Sequence, residues 1–299
     1  MHFDDLRQAL GTVIAVPVTP FDADGQVDLG SYRRLINTLT AGGISVVTPN
    51  GNTGEFYSLT LGECQAAVET AAAAAGEAVV VAGVGYAAAT AVEMAQVARQ
   101  AGASAVMIHQ IIHPYRSPAG WVAYHRKIAA AVPELGVVPY VRDGQVTAAM
   151  LTEVLDTCPN VVGIKYAVAD PLLFANLVQA VGADRMAWVC GIAESWAPFY
   201  WVGGARGFTS GLVNVHIPRS LDMLQCLQAG RYDQAMQRWA ELKPFEDLRA
   251  RRNGGNNVSV VKEAMAQRGL SARTVRPPIS ELPESERAEV AAVLAAWGA

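Results

Sequence analysis

Eight short apolar runs, each followed by a longer amphipathic segment, predict a closed (β/α)8 barrel for this chain of 299 residues. The runs are rich in β-branched residues and apolar on both faces, as parallel strands covered by helices should be. The length fits one barrel of about 250 residues plus an appendage. Taken in order, the strand runs fall at residues 12–18, 44–49, 78–85 and 104–110, then 136–141, 161–167, 186–191 and 206–211. Between them lie Ala- or Leu-rich stretches of helical length, such as 61–75, which stops at Gly76, and 87–101. After about residue 228 the alternation ends. Residues 229–299 then read as a helical C-terminal region packed on the barrel, with helices at 232–242, 245–252, 258–267 and 284–297. The Pro pair in SARTVRPPISEL makes residues 271–282 a strap between the last two helices.

Composition narrows the function. Hydrophobic residues make up 52% and charged ones 17%, enough for a large core and too apolar for a disordered chain. The net charge of −4, without a long run of either sign, gives no footprint for nucleic acid. No membrane span is expected, because no stretch approaches 18 uninterrupted apolar residues. The opening MHFDDLRQAL has no secretory h-region, so the cytoplasm is the expected compartment. Cys64, Cys158, Cys190 and Cys226 include no C-x-x-C pair, and neither a disulfide framework nor a zinc site is expected. His109 and His113 span a strand end and read as ordinary core or loop histidines rather than metal ligands.

Chemistry in such a barrel collects at the C-terminal ends of the strands. Three places there carry it. The second strand runs into Asn50-Gly51-Asn52-Thr53-Gly54-Glu55, whose free amides and Thr hydroxyl suit a small carboxylate, though a turn with a helix cap would look the same. The sixth strand holds Lys165 inside the run VVGIKYA. A buried ammonium is costly, so the amine there is either pushed to its neutral form, able to attack a carbonyl, or it snorkels or finds a carboxylate. Periodicity leaves both open. Tyr140 ends the neighbouring fifth strand and is either packing or a proton shuttle to that amine. Other readings fall away: there is no G-x-S-x-G elbow and no phosphate-binding P-loop, and Gly83-Val84-Gly85 lacks a third glycine. Trp196, Phe199, Tyr200 and Trp201 are spaced for packing, and Arg249, Arg251 and Arg252 read as a solvated helix end that could face the barrel mouth.

Taken together these motifs resemble the dihydrodipicolinate synthase/N-acetylneuraminate lyase family of Schiff-base enzymes. The likeness runs from Val16-Pro17-Val18-Thr19-Pro20-Phe21 through Gly51–Glu55, Tyr140, Gly163-Ile164-Lys165 and Gly191. It continues through Gly207-Phe208-Thr209-Ser210-Gly211 to Val275-Arg276-Pro277-Pro278. The resemblance implies that Lys165 forms an imine with pyruvate or a larger 2-keto acid and that Tyr140 shuttles protons. It further implies that Thr53 and its turn, Asn52 and Gly54 included, hold the substrate carboxylate, that Gly191 and Thr209 line the pocket, and that the protein is a homotetramer built as a dimer of dimers. No metal or organic cofactor is expected, because the imine itself is the electron sink.

Three departures bear on substrate. Asn52 stands where the synthase has a Thr, Arg116 where it has a relay Tyr, and Arg142 follows Tyr140-Val141 where it has Asn-Val-Pro. The order Tyr140-Val141-Arg142-Asp143, the run Gly54–Leu59 and the segment Val258–Lys262 are similar to the 5-keto-4-deoxyglucarate dehydratase branch. Arg116 and Arg142 would then grip a distal carboxylate, unless Arg142 is spent on an ion pair with Asp143. A sugar-acid-derived 2-keto acid is the favoured substrate. Condensation of pyruvate with aspartate semialdehyde is the alternative activity, and a non-catalytic keto-acid-binding paralogue is the alternative class.

Overall fold

A computed structural model describes residues 1–298 and shows eight parallel strands closed into a barrel in the order β1 to β8. They are β1 (Val13–Ala15), β2 (Val46–Val47), β3 (Val79–Val84) and β4 (Ala105–Ile108), followed by β5 (Gly136–Val141), β6 (Gly163–Tyr166), β7 (Ala187–Cys190) and β8 (Gly207–Ser210). Most strands are shorter than the apolar runs that announce them. Several residues just past the strands, such as Val16–Val18, Thr48, Pro49 and His109, stay buried, yet the chain turns out of the ladder there to build the loops at the barrel's C-terminal end.

Helices alternate with these strands. An N-terminal α1 (Phe3–Ala9) precedes the barrel, and α2 (Leu29–Ala41), α3 (Leu61–Ala74), α4 (Ala88–Gln100) and α5 (Pro118–Ala131) follow the first four strands. The last four strands are followed by α6 (Ala148–Thr157), α7 (Pro171–Val181), α8 (Ala193–Val202) and α9 (Ile217–Gln228). Local chemistry sets the starts. Thr60 and Glu63 close a reciprocal capping box on α3, and Asp170 caps α7 ahead of Pro171, whose missing N–H costs nothing in a first turn.

Strand alternation sorts the core into two shells. Ile14, Val46, Val81, Met107, Val138 and Val189 point inward and fill the barrel, while Ile164, Tyr166 and Phe208 point outward under the helices. Each buried aliphatic side chain of this size stabilises the fold by roughly 1.5–3 kcal/mol. Leu6 and Leu10 plug the N-terminal end. There is no room beside them: a Cβ at Gly136 would sit 2.9 Å from Leu6 Cδ1, and one at Gly163 equally close to Leu10 Cδ1.

The C-terminal helices are α10 (Tyr232–Gly254), α11 (Asn257–Gln267) and α12 (Glu284–Ala296). Two expectations need correction here. Residues 232–242 and 245–252 form one helix that runs through Pro244 and kinks only at Arg251–Asn253. Arg249 is not solvated: it is 5% exposed, paired with Glu246 at 2.6 Å and bonded to Asn257 Oδ1. Arg251 and Arg252 do reach the surface, where Glu289 and Glu286 hold them. Of the four aromatics on α8, Tyr200 and Trp201 are buried, Trp196 is partly buried and Phe199 is 40% exposed. Among the described residues no helix is long and apolar enough to cross a membrane.

Candidate active site

Register brings the two reactive candidates together. Tyr140 on β5 pairs with Lys165 on β6, and Lys165 in turn with Val189 on β7, so all three face the barrel interior. Lys165 Nζ lies 4.2 Å from the centroid of the Tyr140 ring, and both residues are about one-twentieth exposed (4% and 5%). Burial first, then the positive charge of Arg142, lowers the Lys165 amine to a pKa of about 7, offset slightly by Cys190. Among the described residues no carboxylate acts on it. Of the two readings the sequence left open for Lys165, the unpaired, desolvated amine is the one observed.

A second buried lysine shows what the alternative looks like. Lys262 on α11 is fully buried, but its Nζ donates to Glu55 Oε1 at 2.5 Å and to the Thr274 carbonyl at 2.8 Å. Burial still depresses its pKa, to about 8, with Glu55 pulling it back up. An ammonium held by a carboxylate has no lone pair to offer, and the Lys165 amine is under no such constraint.

Burial raises the pKa of the Tyr140 phenol, against the opposing pull of Arg142 and the Asn52 amide. Asn52 Nδ2 donates to Tyr140 Oη at 3.2 Å. Asn52 is therefore a direct partner of the tyrosine hydroxyl, leaving that hydroxyl's own proton available to a ligand. Asn52 Oδ1 is buried without a partner.

The turn after β2 forms a 3₁₀ turn over Asn52–Gly54. Its first amides, those of Asn52 and Thr53, have no intrahelical acceptor and suit a carboxylate. Asn50 and Glu55 flank it, both with φ of 58°, a left-handed conformation costing roughly 1–3 kcal/mol in a non-glycine residue. Thr53 and Thr209 are each 5% exposed. Thr209 shares the inward side of β8 with Gly207 and Gly211. Gly191 continues the inward side of β7 and lies against Lys165: a Cβ there would sit 2.9 Å from Lys165 Cγ and 3.0 Å from the Tyr166 carbonyl oxygen. Gly191→Ala should therefore push Lys165 off its position, destabilise the fold by roughly 1–3 kcal/mol and slow turnover, read by thermal unfolding and steady-state rate; unchanged values for both would contradict this packing.

The two mouth arginines differ. Arg116 forms an ion pair with Asp143. Arg142 is exposed, anchored through its backbone N–H to Gln110 Oε1 at 3.1 Å, and its charge reaches Lys165, His109, Tyr57 and Tyr140. The ion pair with Asp143 thus belongs to Arg116, and Arg142 is the arginine whose charge is felt across the pocket.

Two residues that the sequence did not assign to the site lie beside it. His109 is 1% exposed, stacks on Phe56 with ring centroids 3.9 Å apart and lies edge-on to Tyr140. Its Nε2 lies 2.7 Å from the Asn50 carbonyl, which can only accept, so Nε2 carries the proton. Burial lowers its pKa to about 3 and keeps it neutral. Its signal was parity: it continues the inward side of β4 after Met107. Arg249, expected at a solvated helix end, is instead buried beside the turn. Its Nη2 would lie 2.7 Å from a Cβ at Gly211, which itself would be 3.3 Å from Thr53 Cγ2. Among the described residues no group of three or more His, Cys, Asp or Glu is placed to hold a metal ion.

Known proteins resemble this chain over nearly its whole length. The model of the dihydrodipicolinate synthetase family matches residues 9–297. A probable 5-dehydro-4-deoxyglucarate dehydratase from Xanthobacter autotrophicus is 31% identical, with 99% of each chain covered. One from Saccharopolyspora erythraea is 34% identical over 93% of this chain and 91% of its own. Among solved structures, a dihydrodipicolinate synthase from Bacillus clausii is 40% identical with a TM-score of 0.95, covering 98% of this chain and 100% of that one.

Proposed function

The chain belongs to the dihydrodipicolinate synthetase family of lyases, and on that footing we propose that it forms a Schiff base through Lys165 with a sugar-acid-derived 2-keto-3-deoxy acid such as 5-keto-4-deoxyglucarate. The observation that carries the reading is the buried Lys165 amine, without a carboxylate partner, directly across from Tyr140. The neutral amine attacks the keto carbon, and loss of water gives an imine. The imine then acidifies the adjacent C–H, and removal of that proton gives an enamine that expels the next hydroxyl as water. Tyr140 moves the protons. Thr53, with the amides of Asn52 and Thr53 and the close approach of Gly54, seats the carboxylate beside the keto group, and Gly191 and Thr209 shape the wall.

The distal end of the substrate decides between activities that share this enamine. The curated dehydratase relatives are 31% and 34% identical, whereas the Bacillus clausii structure, at 40%, carries the synthase name. The second reading, condensation of pyruvate with aspartate semialdehyde, rests on that name. We favour the sugar acid because Arg142 presents charge to the pocket and Asn52, an amide, is a poor acid and base. Arg116 supports the same mouth through Asp143. A homotetramer in the cytoplasm completes the reading; Leu172 and Val202, 71% and 76% exposed, suit burial between subunits.

The test is a panel comparing 5-keto-4-deoxyglucarate, other 2-keto-3-deoxy sugar acids, N-acetylneuraminate, and pyruvate with aspartate semialdehyde. Turnover of the sugar acids is expected, and efficient condensation with the sugar acids inert would reverse the assignment. Arg142→Met should raise KM for a diacid by about tenfold to a hundredfold, and for a monoacid by much less. Because Arg142 also depresses the Lys165 pKa, the midpoint of the pH–rate profile should move upward in the same variant.

A further inference from the structure

We infer that Glu55 and Lys262 are positioning residues for the substrate carboxylate, joined in a buried ion pair through which helix α11 holds the turn that seats it. The inference rests on the function proposed above. The turn is pinned at three places. The His109 Nε2–H donates to the Asn50 carbonyl at 2.7 Å, and Thr19 Oγ1 donates to the Gly54 carbonyl at 2.7 Å. At the far end the Glu55 carboxylate accepts from Lys262 Nζ at 2.5 Å and from the Arg276 backbone N–H at 2.9 Å. Helix α11 and the strap before α12 therefore both close on one side chain.

That closure matters because of the backbone between the pins. Asn50 and Glu55 are both held at φ 58°, a conformation that persists in non-glycine residues only when the surroundings over-determine it. Between them the amides of Asn52 and Thr53 keep their free direction. The side chains of Lys262 and Glu55 are 0% and 1% exposed, so removing one strands a charge away from water. Glu55 would then take up a proton or move out, and the strained turn would relax, re-aiming the two amides. Lys165 lies on a different strand, across the barrel mouth from this pair. The loss should therefore appear in recognition of the carboxylate before it appears in attack on the carbonyl.

The experiment compares borohydride trapping on the full chain by pyruvate and by methyl pyruvate, whose ester carries no charge, at graded concentrations. In Lys262→Met, half-saturating pyruvate should rise about tenfold while the trapping rate at saturation stays within about threefold, and the preference for pyruvate over its ester should collapse. Lys262→Arg should restore most of that preference. Where Lys262→Met fails to fold by circular dichroism, the double variant Glu55→Gln/Lys262→Met, which strands no charge, is read in the same way. An unchanged preference in these variants, or an equal loss for both compounds, would overturn the inference while leaving the Schiff-base chemistry intact. No adduct on Lys165 in the unsubstituted protein would overturn the proposed function and this inference with it.

Discussion

Lys165→Met is expected to abolish turnover, by on the order of 10⁴-fold or more, and at the same time to make the protein more stable. With pyruvate and borohydride the unsubstituted protein should gain mass on one peptide containing Lys165, and the variant should gain none. An adduct that persists in the variant, or maps to Lys127, Lys243 or Lys262, would remove Lys165 as the nucleophile. The stability gain follows from the burial that makes the amine reactive. The folded pKa is about 7 against an ordinary 10.5, so between those values the unfolded chain binds more protons than the folded one. Stability therefore rises with pH across that window, and at pH 7 holding the lysine inside costs on the order of 4 kcal/mol. A methionine of similar length carries no such cost. Its Tm at neutral pH should be several degrees higher, and the pH-dependence of unfolding between 7 and 10.5 should flatten. A lower Tm with the same slope would contradict a desolvated amine.

The same pKa governs the rate. Only the neutral amine attacks, so imine formation should fall about tenfold for each pH unit below about 7 and level off above it.

Tyr140→Phe should lower kcat by about 10²- to 10⁴-fold while leaving Lys165 able to form an adduct that borohydride traps. The ring still packs against Nζ, but the proton carrier is gone. Asn52 Nδ2 would also lose its 3.2 Å acceptor, at a cost to stability of about 1 kcal/mol. Steady-state rates set beside single-turnover trapping separate the two steps. If trapping and turnover fall together, Tyr140 orients the lysine instead of moving protons.

Much of this protein is legible in its sequence because the governing patterns are local. Apolar runs of strand length, separated by helical ones, can bury both faces only in a covered parallel sheet, and eight of them close a barrel. Lys165 stood out because an ammonium in VVGIKYA breaks a rule that every neighbour obeys. Tyr140, at a strand end that packing alone would explain, gained weight only from its place on the strand beside Lys165. Strand ends and helix joins were less legible: β1 and β2 leave the ladder early, and α10 runs through Pro244 because packing outweighs local preference.

The partner of each charge was decided by tertiary structure alone. Lys165 and Lys262 both follow apolar residues, yet one is unpaired and the other meets Glu55, 207 residues away in sequence. Asp143 follows Arg142 directly but pairs with Arg116. Arg249 sits among charged residues in sequence and is nevertheless buried against Glu246 and Asn257. Periodicity determines which face of a strand or helix a side chain occupies, whereas the identity of its neighbour depends on register between segments far apart in the chain, and in a buried site that neighbour sets the charge.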